Sequence, residues 1–148
     1  MPAANINAKG RKITHTFVGI PKAVLATKKY SRLNGWDVKL LLDLVSQYHG
    51  RNNGDLSAVW SDSDTFRGMA SRGWRSKGTL YRSVQHLLDA GFIQVTRRGG
   101  RHKPTLYAIT WESVDEIVNP RTKQSKLDAG FTSGRVLTVA SGLWKDDP

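Results

Sequence analysis

Between Trp74 and Trp111 the spacing of the apolar residues changes once, from the period of a helix to that of a strand, and a glycine marks the change. Leu80, Val84, Leu87 and Leu88 stand at i, i+4, i+7 and i+8, which is one face of an α-helix. Ser76 precedes them as an N-cap, and Gly91 follows as a C-terminal stop. Beyond Gly91, the segments FIQVT (92–96) and LYAITW (106–111) are rich in β-branched and aromatic residues and read as strands. RRGGRHKP lies between them, its Gly99-Gly100 pair suited to a tight turn and Pro104 to the edge of the loop. A helix that runs straight into a hairpin makes the chain α+β.

The elements upstream complete the pattern. Residues 1–16 have no period and read as a flexible basic arm. Pro21 opens PKAVLATKKYSRL, in which Val24, Leu25 and Leu33 supply an apolar side, so a short helix is expected over residues 21–30. Asn34 can cap the next helix, Gly35 to Tyr48, whose Leu41, Leu44, Val45 and Tyr48 share one face. Leu40 and Leu42 widen that face, which predicts a central position. RNNGD is a turn, and Leu56, Ala58 and Trp60 alternate as in a short strand. Ser61 with Asp64 resembles a capping box for a helix that turns Phe66, Met69 and Ala70 inward and stops at Gly73. Two helices joined by a tight turn at Arg72–Arg75 make a helix-turn-helix arrangement. After Trp111, SVDEIV is expected to form one helical turn. NPRTKQSK then reads as a linker to a tail of small residues with scattered apolar ones. The expected division is an arm at 1–16, a folded domain at 17–118, and a linker and tail at 119–148.

Charge is clustered. The net charge is +11 and the pI near 10.3. Residues 1–32 hold seven basic and no acidic residues; residues 72–103 hold eight basic residues and one acid, Asp89. The remainder is net negative. Two basic blocks on such a body point to a polyanionic partner. The chain has no cysteine, so disulfides and thiolate metal sites are excluded. No apolar run is long enough to span a bilayer, and residues 1–12 lack a signal-peptide core, so a cytoplasmic location is expected. His15, His49, His86 and His102 lack metal-ligand spacing. There is no GxSxG, P-loop or dinucleotide fingerprint, and Asp62 and Asp64 suit a helix start. Neither enzymatic activity nor a cofactor is expected, and no catalytic or metal-binding residue is assigned.

With the Leu/Val face of the 76–90 helix turned inward, the opposite side presents Arg75, Gly78, Thr79, Arg82 and His86, with Gln85 nearby and Lys77 and Ser83 flanking. Arginine can bond guanine bidentately, threonine can touch thymine, and a helix N-terminus offers N–H groups to phosphate. Expected DNA contacts from this helix are Arg75, Ser76, Lys77, Thr79, Arg82 and Ser83, with His86 at their margin. The hairpin adds Arg97, Arg98, Gly99, Gly100, Arg101, His102 and Lys103. Cations on a sheet edge also deter aggregation, but four Arg and Lys within seven residues exceed that need. Lys9, Arg11 and Lys12 can enter a minor groove as an arm. Trp36, Trp60, Trp74 and Trp111 sit beside element ends, as core or capping residues do; Trp144 is placed to dock on a partner.

The order helix, short strand, helix, turn, helix, hairpin resembles the winged helix-turn-helix superfamily over residues 34–111. The segments QYHGRNNGDL, GWRSKGTL, HLLDAGFI and TRRGGRHKPTLYAITW are similar to small helix-turn-helix proteins of proteobacteria and their mobile elements. One departure is that Gly73 follows the small residue Ala70 by three positions where four is usual. The resemblance implies a three-helix core with a short strand and a β-hairpin wing; the chain adds an N-terminal helix and flexible termini. It implies sequence-specific binding of double-stranded DNA by a transcription regulator of bacterial or phage type. Two other readings are a replication-initiator or excision-type accessory protein of a mobile element, and a module that binds protein through the winged helix and tail. A homodimer would be usual, with the first helix and the tail as its candidate contacts.

Overall fold

The structure, a computed structural model, describes residues 17–48, 53–61, 68–101, 103–112 and 117–128. Its first helical segment differs from the expected single helix. Two short helices form instead, α1 (Lys22–Leu25) and α2 (Lys28–Ser31). Thr27 separates them. Its hydroxyl donates to the Val24 carbonyl (2.7 Å) and accepts from the Tyr30 amide (3.1 Å), so one side chain ends α1 and caps α2. A threonine that bonds nearby backbone competes in this way with a continuous helix.

Helix α3 (Gly35–Val45) begins with a reciprocal cap. The Asn34 side chain accepts from the Asp37 amide (2.9 Å), and the Asp37 carboxylate accepts from the Asn34 amide (3.1 Å). Leu40, Leu41, Leu44 and Val45 are buried, whereas Leu42, expected in the core, is 46% exposed. The regular helix stops at Val45, and the chain tightens through i→i+3 bonds to Gln47 and Tyr48. A four-residue 3₁₀ helix, Met69–Arg72, buries Met69 and leaves Ala70 exposed, against the expected inward position of Ala70. Asp64 and Phe66, on which the longer helix was argued, lie outside the described residues. So do the arm at 1–16, the turn SVDE at 113–116 and the tail from residue 129.

Helix α4 (Lys77–Asp89) starts at Ser76, whose hydroxyl accepts from the Thr79 amide (3.3 Å). It ends in a Schellman arrangement: the Phe92 amide reaches the Leu87 carbonyl and the Gly91 amide the Leu88 carbonyl. Gly91 takes φ 83°, and Phe92 enters the core fully buried. The strands β1 (Leu56–Ser57), β2 (Ile93–Arg97) and β3 (Leu106–Ile109) form an antiparallel sheet in the order β1-β3-β2. Ile93 pairs with Ile109 and Val95 with Tyr107; a bulge then brings Arg97 opposite Leu106.

Central β3 is buried on both faces. Tyr107 and Ile109 join the core formed with α3 and α4. Leu106 and Ala108 form a second cluster with Leu127 and Ile117. Residues 119–128, expected as linker, therefore pack on the back of the sheet. Val118 and Ser125 bridge, the Asp128 amide bonds the Thr96 carbonyl, and Lys126 pairs with Asp55 at 3.2 Å. The linker reading failed because its polar residues serve a turn: the Asn119 side chain accepts from the Arg121 and Thr122 amides.

Two amide side chains complete this short sheet. The Gln47 amide accepts from the Ser57 N–H (2.9 Å) and donates to the Ser57 carbonyl (2.8 Å), standing in for a further strand beside β1. Fully buried Asn53 does the same for Ile109 at 2.8 and 3.0 Å, and also donates to the Glu112 carbonyl. None of the described helices is long and apolar enough to cross a membrane. Substituting Asn53→Ala leaves both backbone groups of Ile109 without their partner. An unsatisfied buried polar group costs about 1–3 kcal/mol, so the variant is expected to lose about 3 kcal/mol in urea unfolding.

Candidate nucleic-acid interface

The orientation of α4 follows from two carboxylates of α3. Asp43 is buried and accepts three bonds: from Trp74 Nε1 at 2.8 Å, Arg72 Nε at 3.2 Å and Lys39 Nζ at 3.3 Å. These bonds hold the turn before α4, where Gly73 adopts φ 93°. Trp74 also packs against Trp36 with ring centroids 5.1 Å apart. At the other end of α4, His86 Nδ1 approaches both oxygens of Asp37, at 2.9 and 3.1 Å. His86 thus joins the two helices, and its ring is committed to Asp37 through Nδ1.

The helix then presents Arg75, Ser76, Lys77, Gly78, Tyr81, Arg82 and Gln85 to solvent, with Thr79 half-buried. Ser83 is 2% exposed and belongs to the packed face beside Leu80, Val84 and Leu87, which corrects its assignment as a contact. Phasing on the leucines alone placed the centre of the buried arc too far round; the helix pairing moves Ser83 inward and leaves Tyr81 at the surface. The first turn of α4 contains no acid and carries Lys77, with Arg75 just before it. Cations at a helix N-terminus oppose the macrodipole, an arrangement that a bound anion relieves.

On the hairpin, Arg98, Gly99, Gly100, Arg101, Lys103 and Pro104 are exposed, while residue 102 lies outside the described set. Arg97 behaves differently from its neighbours. It is half-buried, and its Nη2 donates to the Pro104 carbonyl at 2.8 Å across the hairpin, so it braces the loop instead of projecting as expected. Gly100 and Lys103 exchange two backbone bonds of 2.8 and 3.1 Å that close the tip. The two glycines are not equivalent. A Cβ on Gly100 would meet open space, but one on Gly99 would lie 2.5 Å from the Thr105 nitrogen and 2.7 Å from the Lys103 oxygen. The base of the hairpin is tied down by Asp128, whose carboxylate accepts from the Arg98 amide at 2.9 Å.

The first turns of α4 and the returning limb of the hairpin share a cleft of about 440 Å³. Lys77 and Tyr81 enter it from the helix, Thr105 from the hairpin, Tyr107 from β3, and Trp60 and Ser61 from the segment after β1. Burial, and secondarily the neighbouring Tyr81, push the Tyr107 phenol above its ordinary value, so it stays protonated at neutral pH. Tyr81, 56% exposed, is a surface aromatic that helical periodicity passes over because it fits neither the apolar nor the basic pattern. Around this cleft, Arg75, Lys77, Arg82, Arg98, Arg101 and Lys103 make no ion pair with a carboxylate of the described residues. Asp89, the one acid on α4, is bonded by Gln85 at 2.8 Å.

Opposite outcomes are expected at two glycines. Gly99→Ala should distort the hairpin tip while leaving the helical circular dichroism intact, with NMR amide shifts confined to residues near 99–105. Gly78→Ala adds a Cβ at ordinary contact distance from Ser76 Oγ (3.6 Å) and Arg82 Nη2 (3.8 Å). It should raise stability by about 0.5–1 kcal/mol in thermal or urea unfolding, because alanine is the better helix former.

Comparison with known proteins finds no match to this chain among family models, curated protein sequences or solved structures.

Proposed function

We propose that the chain binds double-stranded DNA as a winged helix-turn-helix protein, with α4 in the major groove and the β2–β3 hairpin as the wing. The observation that carries this reading is the set of six cations that flank one cleft, on the helix and on the hairpin, without a carboxylate partner among the described residues. Like charges gathered without counterions repel one another, and a phosphate backbone is the partner that relieves them along such a length. The uncompensated N-terminus of α4 adds N–H groups and a favourable dipole for a phosphate. Arg75, Arg82 and Thr79 are the base-reading residues of this proposal; Ser76, Lys77, Arg98, Arg101 and Lys103 hold the backbone. Lys9, Arg11, Lys12 and His102 keep their expected contacts as part of the same proposal. Ser83 and Arg97 leave the set, and His86 orients the helix.

The role proposed for this binding is sequence-specific regulation of transcription. Selection of bound sequences from random duplex DNA tests it. A defined motif within promoter-like palindromes supports regulation, and repeated sites at an origin would assign replication instead. Replacing Arg82 and Arg98 together by alanine should abolish retention of duplex DNA at about 0.15 M salt. At low salt, where residual binding is measurable, the slope of log K against log salt should fall by about 2, near one unit for each lost phosphate contact. Unchanged retention would remove the DNA reading.

A further inference from the structure

The cleft between α4 and the hairpin has a chemistry that backbone contacts do not use. Trp60, Tyr81 and Tyr107 give it three aromatic residues, and Tyr81 is more than half exposed on a helix surface otherwise made of cations and small residues. No acid is among its lining residues. Ser61 and Thr105 add hydroxyl groups, and the protonated Tyr107 phenol adds a donor. Lys77 stands at the same cleft. Its volume, about 440 Å³, lies within the range of sites for small planar ligands.

We propose that this cleft holds one unpaired nucleobase of the bound DNA, stacked on Tyr81 and Trp60, with the adjoining phosphate on Lys77. The proposal rests on the DNA reading above and adds to it a preference for a duplex with an extrahelical base. Aromatic rings offer a base stacking in place of the stacking that it loses on leaving the duplex. The hydroxyl groups can satisfy the edge that pairing leaves exposed, and the absence of acids suits the phosphate. An apolar side chain of a protein partner would use the rings but neither the hydroxyls nor the surrounding cations. A base that is already unpaired costs least to accommodate, so a duplex with a one-nucleotide bulge should bind better than its fully paired counterpart.

The test uses the full chain and two duplexes of one sequence, one fully paired and one with a single extra 5-iodouracil, placed in turn along the duplex. The bulged duplex is expected to bind about tenfold more tightly at its best position. Irradiation should crosslink the iodouracil to the peptides containing Tyr81 or Trp60. Tyr81→Ala should bring the two affinities together, and Tyr81→Phe should keep them apart; circular dichroism of both variants verifies the fold. Equal affinities at every bulge position, or crosslinks only outside the cleft, would overturn the proposal while leaving duplex binding in place. Retention of neither duplex would overturn the DNA reading and this proposal with it.

Discussion

The position of α4 depends on Asp43. A carboxylate with 10% side-chain exposure is tolerated only where hydrogen bonds replace its water, and here an indole, a guanidinium and an ammonium do so. Each donor lies on a segment that must be placed. Lys39 stiffens α3, Arg72 ends the 3₁₀ helix, and Trp74 opens the approach to α4. Asp37 repeats the device at the opposite end by accepting from its own helix cap and meeting His86. With both ends of α4 tied to α3, its buried and exposed sides are set, and the cations of the proposed interface take their direction from that.

The same use of side chains in place of backbone explains how so small a sheet is sustained. A two-residue β1 cannot satisfy its own edge, and Gln47 supplies the missing donor and acceptor from the end of α3. Asn53 does this for the last residue of β3 from the loop before β1. Thr96, at the bulge, bonds the Gly54 carbonyl at 2.6 Å. These polar bonds tie the root of the hairpin to the helical layer, while the tip projects with Arg98, Arg101 and Lys103 exposed. Segment 117–128 backs the sheet through Leu127 and Asp128, so the hairpin is supported on the face away from the helices.

Much of this was legible in the sequence where the signal is local. Asn34, Ser76 and Gly91 act as caps and stop as their positions suggest, because capping involves residues only three to five apart. Leu80, Val84 and Leu87 are buried as their period requires. The misreadings share a cause. Thr27, Ser83, Arg97 and residues 119–128 have composition suited to a helix, a surface, a contact and a linker. Each takes another role through a partner that the pattern does not reveal. Tyr81 was passed over for the converse reason, since an exposed aromatic gains meaning only from the cleft beside it.

Element limits, the α+β class and the clustering of positive charge follow from the order of residues alone, because periodicity, capping and turn chemistry act over one or two turns of chain. The pairing of Asp43 with Trp74, Asp37 with His86 and Asn53 with Ile109 spans 31, 49 and 56 residues. No local pattern encodes such pairs. They arise when buried polar groups must find partners in a packed interior, and that requirement sets which cations stand free beside the cleft and which serve the fold.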